Sequence, residues 1–181
     1  MSLQIQGGEY PGRASDDDAV VVALGSNLSG GRTSSVAVLE EALERFPAWG
    51  LTVRRRSSWW RSAAWPNPAE PEYINGVAIV ETSLGAGEVL GGLHALEASF
   101  GRLRERPNAP RVLDLDLVAF GRFVSYAPEL AIPHPRAADR RFVMGPLAEV
   151  APGWRHPVTG ELARDLADRA SVGRDAAPLA P

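Results

Sequence analysis

Arg111-Val112-Leu113-Asp114-Leu115-Asp116-Leu117 decides how this 181-residue chain is read. Successive side chains of an extended strand point to opposite faces. Leu113, Leu115 and Leu117 then face a core, and Asp114 and Asp116 project together on the other side. The strand should run over 113–120, with a short strand around 123–125 as its partner. Working backwards, Val89, Leu93, Leu96 and Phe100 recur as one helical stripe. Gly91-Gly92 inside that helix costs ~1 kcal/mol per glycine against alanine. Residues 73–82 read as a strand with Tyr73, Asn75, Val77 and Ile79 on one face, and 51–60 as another. Pro66, Pro68 and Pro71 make 61–72 a loop. A helix should start near Thr33 and Ser34, where a hydroxyl can cap open amides, carry Leu39, Leu43 and Phe46, and end at Pro47. Val20-Val21-Val22-Ala23-Leu24 is the continuous apolar run of a buried strand, broken by Gly25-Ser26-Asn27 and Gly30-Gly31.

The resulting order, β-α-β-β-α-β, is the ferredoxin-like α/β (α+β) sandwich with a mainly antiparallel sheet. Further helices expected over 140–150 and 161–168 are C-terminal additions to it. One domain over 19–170 is expected, with flexible tails at 1–18 and 171–181, because the ends are rich in Gly, Ser, Ala and Pro.

Composition removes whole classes of chemistry. There is no cysteine, hence no disulfide, cysteine-ligated zinc, iron–sulfur cluster or thiol nucleophile. All 19 basic residues are arginine. A lysine-based phosphate loop and Schiff-base chemistry are therefore excluded, and phosphate must be held by arginine, backbone amides or metal. The net charge of −3 argues against a general nucleic-acid or membrane binder. No signal-peptide core or membrane-length apolar run occurs, so the cytoplasm is the expected location.

Two like charges that close repel each other, so a cation should sit between Asp114 and Asp116. Arginine and a hard divalent ion both answer, and so does a solvated strand face with two harmless acids. Between Gly101 and Arg141 there are eight arginines and five acids, a local +3 in a chain of −3. Such a stretch suits a magnesium polyphosphate; it also suits surface Arg–carboxylate pairs of little individual weight. His134, in Pro133-His134-Pro135-Arg136, can donate to a phosphate or simply cap a helix. Tyr73 and Phe142 are candidate stacking rings or core residues.

Taken together, these segments resemble a known family. Ala23-Leu24-Gly25-Ser26-Asn27-Leu28, Tyr73-Ile74-Asn75-Gly76-Val77, Gly101-Arg102-Leu103-Arg104, Pro110-Arg111 running on to Leu117, Ile132-Pro133-His134-Pro135-Arg136 and Arg140-Arg141-Phe142-Val143 occur in order. The sequence resembles the 6-hydroxymethyl-7,8-dihydropterin pyrophosphokinases of folate biosynthesis. The resemblance implies a ferredoxin-like fold and transfer of pyrophosphate from ATP to the pterin hydroxymethyl oxygen, releasing AMP. It implies two Mg²⁺ ions on Asp114 and Asp116, with Asp116, Arg102 and Arg111 as the catalytic set. ATP would be bound by His94, Glu97, Arg102, Arg104, Arg111, Leu117, His134 and Arg140. The pterin would meet Gly25, Asn27, Ser62, Ala63, Ala64, Trp65, Tyr73, Asn75 and Phe142, with Asn75 reading the ring edge and Tyr73 and Phe142 stacking on its faces. A monomer acting on small molecules is implied, with neither nucleic acid nor membrane as partner.

The chain departs from the family at Pro107-Asn108-Ala109-Pro110, where members usually carry a tryptophan, and at Pro135, where many have an aromatic residue. The competing reading is a ferredoxin-like RNA-binding module. The negative net charge, the lack of an RNP-type motif and the unexplained aspartate pair weigh against it. A homologue that binds pterin without turnover is the third reading.

Overall fold

The computed structural model describes residues 15–64, 67–101 and 110–180. Strand β1 (Val20–Ser26) leads to helix α1 (Ser35–Arg45); β2 (Thr52–Arg56), β3 (Trp60–Ser62) and β4 (Tyr73–Glu81) follow, then α2 (Ala86–Ser99) and β5 (Asp114–Phe120). A hairpin of β6 (Ser125–Ala127) and β7 (Leu130–Ile132), helices α3 (Arg141–Val150) and α4 (Ala163–Arg169) and a two-residue strand β8 (Ala177–Pro178) complete the described chain. The main sheet runs β5-β1-β4-β3-β8, with β2 also pairing β4, and every pairing is antiparallel. This is the expected ferredoxin-like order.

Alternation does what the leucines predicted. Leu113, Leu115 and Leu117 join Leu24, Leu39, Leu93 and Leu96 in a core under α1 and α2. Each fully buried leucine contributes about 2 kcal/mol of transfer free energy. Ser34 caps α1, its Oγ accepting from Ala37 N at 3.2 Å. The opposite face is covered too. Val21, Ala23, Val77, Val118 and Ala119 pack with Val143, Met144, Leu147 and Trp154 under α3 and α4. The C-terminal addition is thus a third layer, and β1 and β4 are buried on both faces.

The sheet carries one irregularity that matters for the site. Val21 pairs with Ala119 but Val22 pairs with Leu117, so Val118 is an extra residue on β5. Its carbonyl accepts from His134 N at 2.9 Å.

Three expectations are corrected. The strand expected over 51–60 is two strands, because Ser57 N bonds Val77 O, Ser57 Oγ accepts from Val77 N, and Trp59 packs onto Gly76. The segment near 123–125 does not pair with β5; β6 pairs with β7 in a separate hairpin. The ends are not both loose. Residues Asp16–Asp18 form a turn in which Asp16 accepts from Arg55 and from Gly153 N, and Asp17 accepts from Arg155 N. Residues 171–180 fold back onto the domain, β8 adding to the edge of β3 and Leu179 N donating to Trp59 O at 2.8 Å. Ala/Pro-rich composition hid a segment whose backbone groups find partners. No helix among the described residues is long and apolar enough to cross a membrane.

Candidate active site

Register places the candidate residues in one row. Asp114 lies opposite Gly25, Gly25 opposite Asn75, and Asn75 opposite Trp60. Residues paired across an antiparallel ladder share a face. Asp114, Asp116, Gly25, Asn75, Tyr73 and Ser62 are therefore on the α3 side of the sheet, at the end towards Ser26. Gly25 is the floor between them. A Cβ there would lie 3.4 Å from Asn75 Oδ1, 3.8 Å from Asp114 Cβ and 3.9 Å from a Tyr73 ring carbon. Asn75 is buried and its Nδ2 donates to Ser62 Oγ at 3.0 Å, which fixes the amide.

Arg111 enters from the segment before β5. Its Nη1 donates to Asp114 Oδ1 at 3.1 Å and its side chain also hydrogen-bonds Tyr73. Burial alone would lower the Arg111 pKa, but Asp114 and Tyr73 outweigh it and hold the guanidinium above its ordinary value. Burial raises the Tyr73 phenol, Asp114 adding to the shift and Arg111 opposing it. Asn27 locks this arrangement. Its Oδ1 accepts from Arg111 N at 2.8 Å, its N donates to Arg111 O at 3.2 Å, and its Nδ2 donates to Pro71 O at 3.2 Å. Asn27 is buried and acts as a staple between three segments.

Asp116 faces an imidazole and a guanidinium, His134 Nε2 at 3.8 Å and Arg140 Nη1 at 3.5 Å. His134 stands there because the bulge carbonyl of Val118 anchors its amide and its Nδ1 accepts from Arg136 N at 3.2 Å. Arg140 stands at the residue before α3, and its guanidinium carbon sits 5.7 Å from the Phe142 ring centre. Burial lowers the His134 imidazole below its ordinary value, with Asp116 opposing and Arg140 and Arg136 adding. The Arg140 guanidinium is lowered by burial as well, against Asp116 and Asp114, with Arg136 and Arg111 adding. Those cations crowd one another, so a ligand with several negative charges relieves them.

The donor set fits magnesium. Among the described residues no group of three or more His, Cys, Asp or Glu side chains forms a metal cage. Two carboxylates on one strand face leave most coordination positions to water and phosphate oxygens, as this reluctantly dehydrated ion requires.

Other expected site residues are placed differently. Leu117 is buried in the core under α1 and α2, so only its backbone is available to a ligand. Glu97 is 1% exposed, and its Oε1 accepts from Leu115 N at 2.7 Å, holding the outer edge of β5. His94 is exposed on α2, the helix on the sheet face away from the carboxylates. Ser62 and Ala64 are buried and Ala63 half-buried, and the Ala63 amide is engaged by Asp175 Oδ2 at 2.5 Å. Phe142 is half-buried against the second core. Trp65, Arg102 and Arg104 lie outside the described residues. Asp175 and Gly173, which touch the pocket walls, carry no periodic signal and were not anticipated.

Comparison with known proteins identifies the family. The family model described as 7,8-dihydro-6-hydroxymethylpterin-pyrophosphokinase (HPPK) matches residues 21–152. A 2-amino-4-hydroxy-6-hydroxymethyldihydropteridine pyrophosphokinase of Synechocystis sp. is 42% identical over 142 residues, covering 78% of this chain and 70% of that protein. A protein of the same name from Pseudomonas aeruginosa is 39% identical over 138 residues, covering 76% and 83%. Among solved structures, a triple mutant of Plasmodium falciparum HPPK-DHPS aligns with a TM-score of 0.67 at 12% identity, over 88% of this chain and 47% of that chain. That likeness shows the fold, and the present chain spans about half the length of that relative. With the matched region running from β1 to the end of α3 and taking in both aspartates, the chain belongs to the HPPK family.

Proposed function

We propose that this chain transfers pyrophosphate from ATP to 6-hydroxymethyl-7,8-dihydropterin, yielding the pterin diphosphate and AMP for folate biosynthesis. The observation that carries the reading is the row Asp114–Gly25–Asn75, which sets a carboxylate pair beside a fixed amide across an open glycine floor. Asp114 and Asp116 hold Mg²⁺, two ions in our reading. When bound, magnesium screens the phosphate charge and aligns the attacking and leaving oxygens. Phosphoryl transfer is mainly positioning and charge stabilisation, and the arginines supply both. Arg111, Arg140 and His134 grip the triphosphate, Arg102 and Arg104 add positive charge to that grip, and Glu97 and His94 act on the nucleotide side. Asn75 presents one donor and one acceptor to the pterin edge, and Tyr73 and Phe142 cover its faces. The backbone of residues 62–64 completes the pocket, and Asn27 keeps Arg111 in register with it. The protein acts as a monomer in the cytoplasm, with small molecules as its partners.

AMP formation from ATP is the test. It should require both the pterin and Mg²⁺; AMP release without pterin, or none with both present, overturns the reading. Asn75→Ala should weaken pterin binding by about 2 kcal/mol, the cost of losing a buried paired contact, and leave ATP binding close to normal. Equal losses for the two substrates in calorimetry would count against a pterin-reading role.

A further inference from the structure

The described segment 171–179 joins the two sides of the proposed pterin pocket. At one end it is tied to the start of α3. Ser171 N and Oγ donate to the Asp139 carboxylate at 2.7 and 2.5 Å, Val172 N donates to Asp139 O at 3.1 Å, and Arg141 N donates to Val172 O at 3.0 Å. Gly173 then passes directly over Phe142. Its φ is +67°, and a Cβ there would come within 2.4 Å of the ring, so the close approach requires glycine. At the other end the segment is tied to the exit of β3. Asp175 Oδ2 accepts from Ala63 N, Ala177 pairs with Arg61, and Leu179 N donates to Trp59 O. Arg141 Nε reaches Ala176 O at 3.3 Å, closing the segment against α3 from within. One short stretch thus seats an aromatic ring on one wall and the 62–64 backbone on the other. The other described ties between α3 and the β3 region, Trp60 Nε1 and Ser58 donating to the Glu149 carboxylate and the Trp60 ring lying on Gly145, stand further along α3 than Phe142.

We propose that residues 171–179 are a positioning strap for the heterocycle pocket, with Asp175 and Gly173 as its positioning residues, acting through Ala63 and Phe142 and not by touching phosphate. The inference rests on the proposed pterin pocket and adds what sets its width. An accepting side chain at 175 holds the Ala63 amide turned away from the ligand, so pterin meets the remaining 62–64 groups in a fixed frame. Misplacing such a wall by a fraction of an ångström costs roughly tenfold in affinity without altering the phosphate side.

Asp175→Ala in the full chain tests this. The KM for pterin should rise about tenfold with the KM for ATP within twofold. Asp175→Asn, whose Oδ1 can still accept from Ala63 N, should restore the parental value. A general loosening of the fold would raise both KM values and lower the melting temperature, and that result overturns the proposal, as does an unchanged pterin KM. Amide hydrogen exchange at Ala63 is read in parallel. Its protection should drop in Asp175→Ala and return in Asp175→Asn, and unchanged protection overturns the strap on its own. If the parental chain makes no AMP, the proposed function fails instead, and the exchange data alone decide whether the strap exists.

Discussion

Asp116→Ala is expected to lower the rate of AMP formation by at least ~10³-fold, equivalent to about 4 kcal/mol of transition-state stabilisation, while the protein stays folded. The side chain is about one-third exposed, so truncation opens no core cavity. What disappears is one of the two carboxylates on which a divalent ion can rest, and the counter-charge that His134 and Arg140 face at 3.8 and 3.5 Å. Arg140 is already disfavoured by burial and by Arg136 and Arg111. Without Asp116 its guanidinium has to swing towards solvent. Asp116→Asn separates charge from shape. It keeps the volume and loses the negative charge, and it should fall as far as the alanine variant. Rates are read as AMP released at saturating substrates, with circular dichroism as the check on folding. Near-normal turnover by either variant would remove the aspartate pair from the mechanism.

Gly25→Val should abolish pterin binding, weakening it at least ~100-fold, or about 2.7 kcal/mol, and leave ATP binding within a few-fold. Gly25 does not sit in the left-handed region, so the backbone accepts a side chain. A first carbon meets its neighbours at 3.4 to 3.9 Å, ordinary contact, and β-branched residues suit strands. Stability should therefore hold or rise, as measured by thermal melting. The two further methyl groups of valine fill the space between Asn75, Asp114 and Tyr73 where a flat heterocycle has to lie. Gly25→Ala should be intermediate. Calorimetric titration with each substrate separates the two sides of the site, and tight pterin binding by Gly25→Val would show that the ring lies elsewhere.

The frame of the fold was readable in the sequence because it rests on period-two and helical alternation. Leu113, Leu115 and Leu117 against Asp114 and Asp116 gave the two faces of β5, and Val89, Leu93, Leu96 and Phe100 gave the buried side of α2. The aspartate pair was legible for the same reason. What stayed hidden depends on backbone partners that no side-chain pattern encodes. The extra residue at Val118, whose carbonyl seats His134, leaves an apolar run looking uninterrupted. The break between β2 and β3 is set by Ser57 and by Trp59 lying on Gly76, tertiary contacts between segments distant in sequence. The strap at 171–179 has no apolar periodicity; only the left-handed Gly173 and the single acceptor at Asp175 mark it. Leu117 and Glu97 show what a motif carried over by resemblance leaves out: the fold turns the Leu117 side chain into the core and uses a Glu97 oxygen to hold a strand edge.

The bulge on β5 also fixes what kind of change this protein can tolerate. Above it the even-numbered Asp114 and Asp116 face α3; below it the odd-numbered Ala119 does. Losing Val118 itself would bring Leu117 and Ala119 into an unbroken ladder with Val22 and Val21, and both ends would keep their faces. It would take away the carbonyl that holds the His134 amide, leaving the imidazole beside Asp116 without its backbone anchor. The core thus survives a strand shortened at this point, and the cost falls on the ligand end alone.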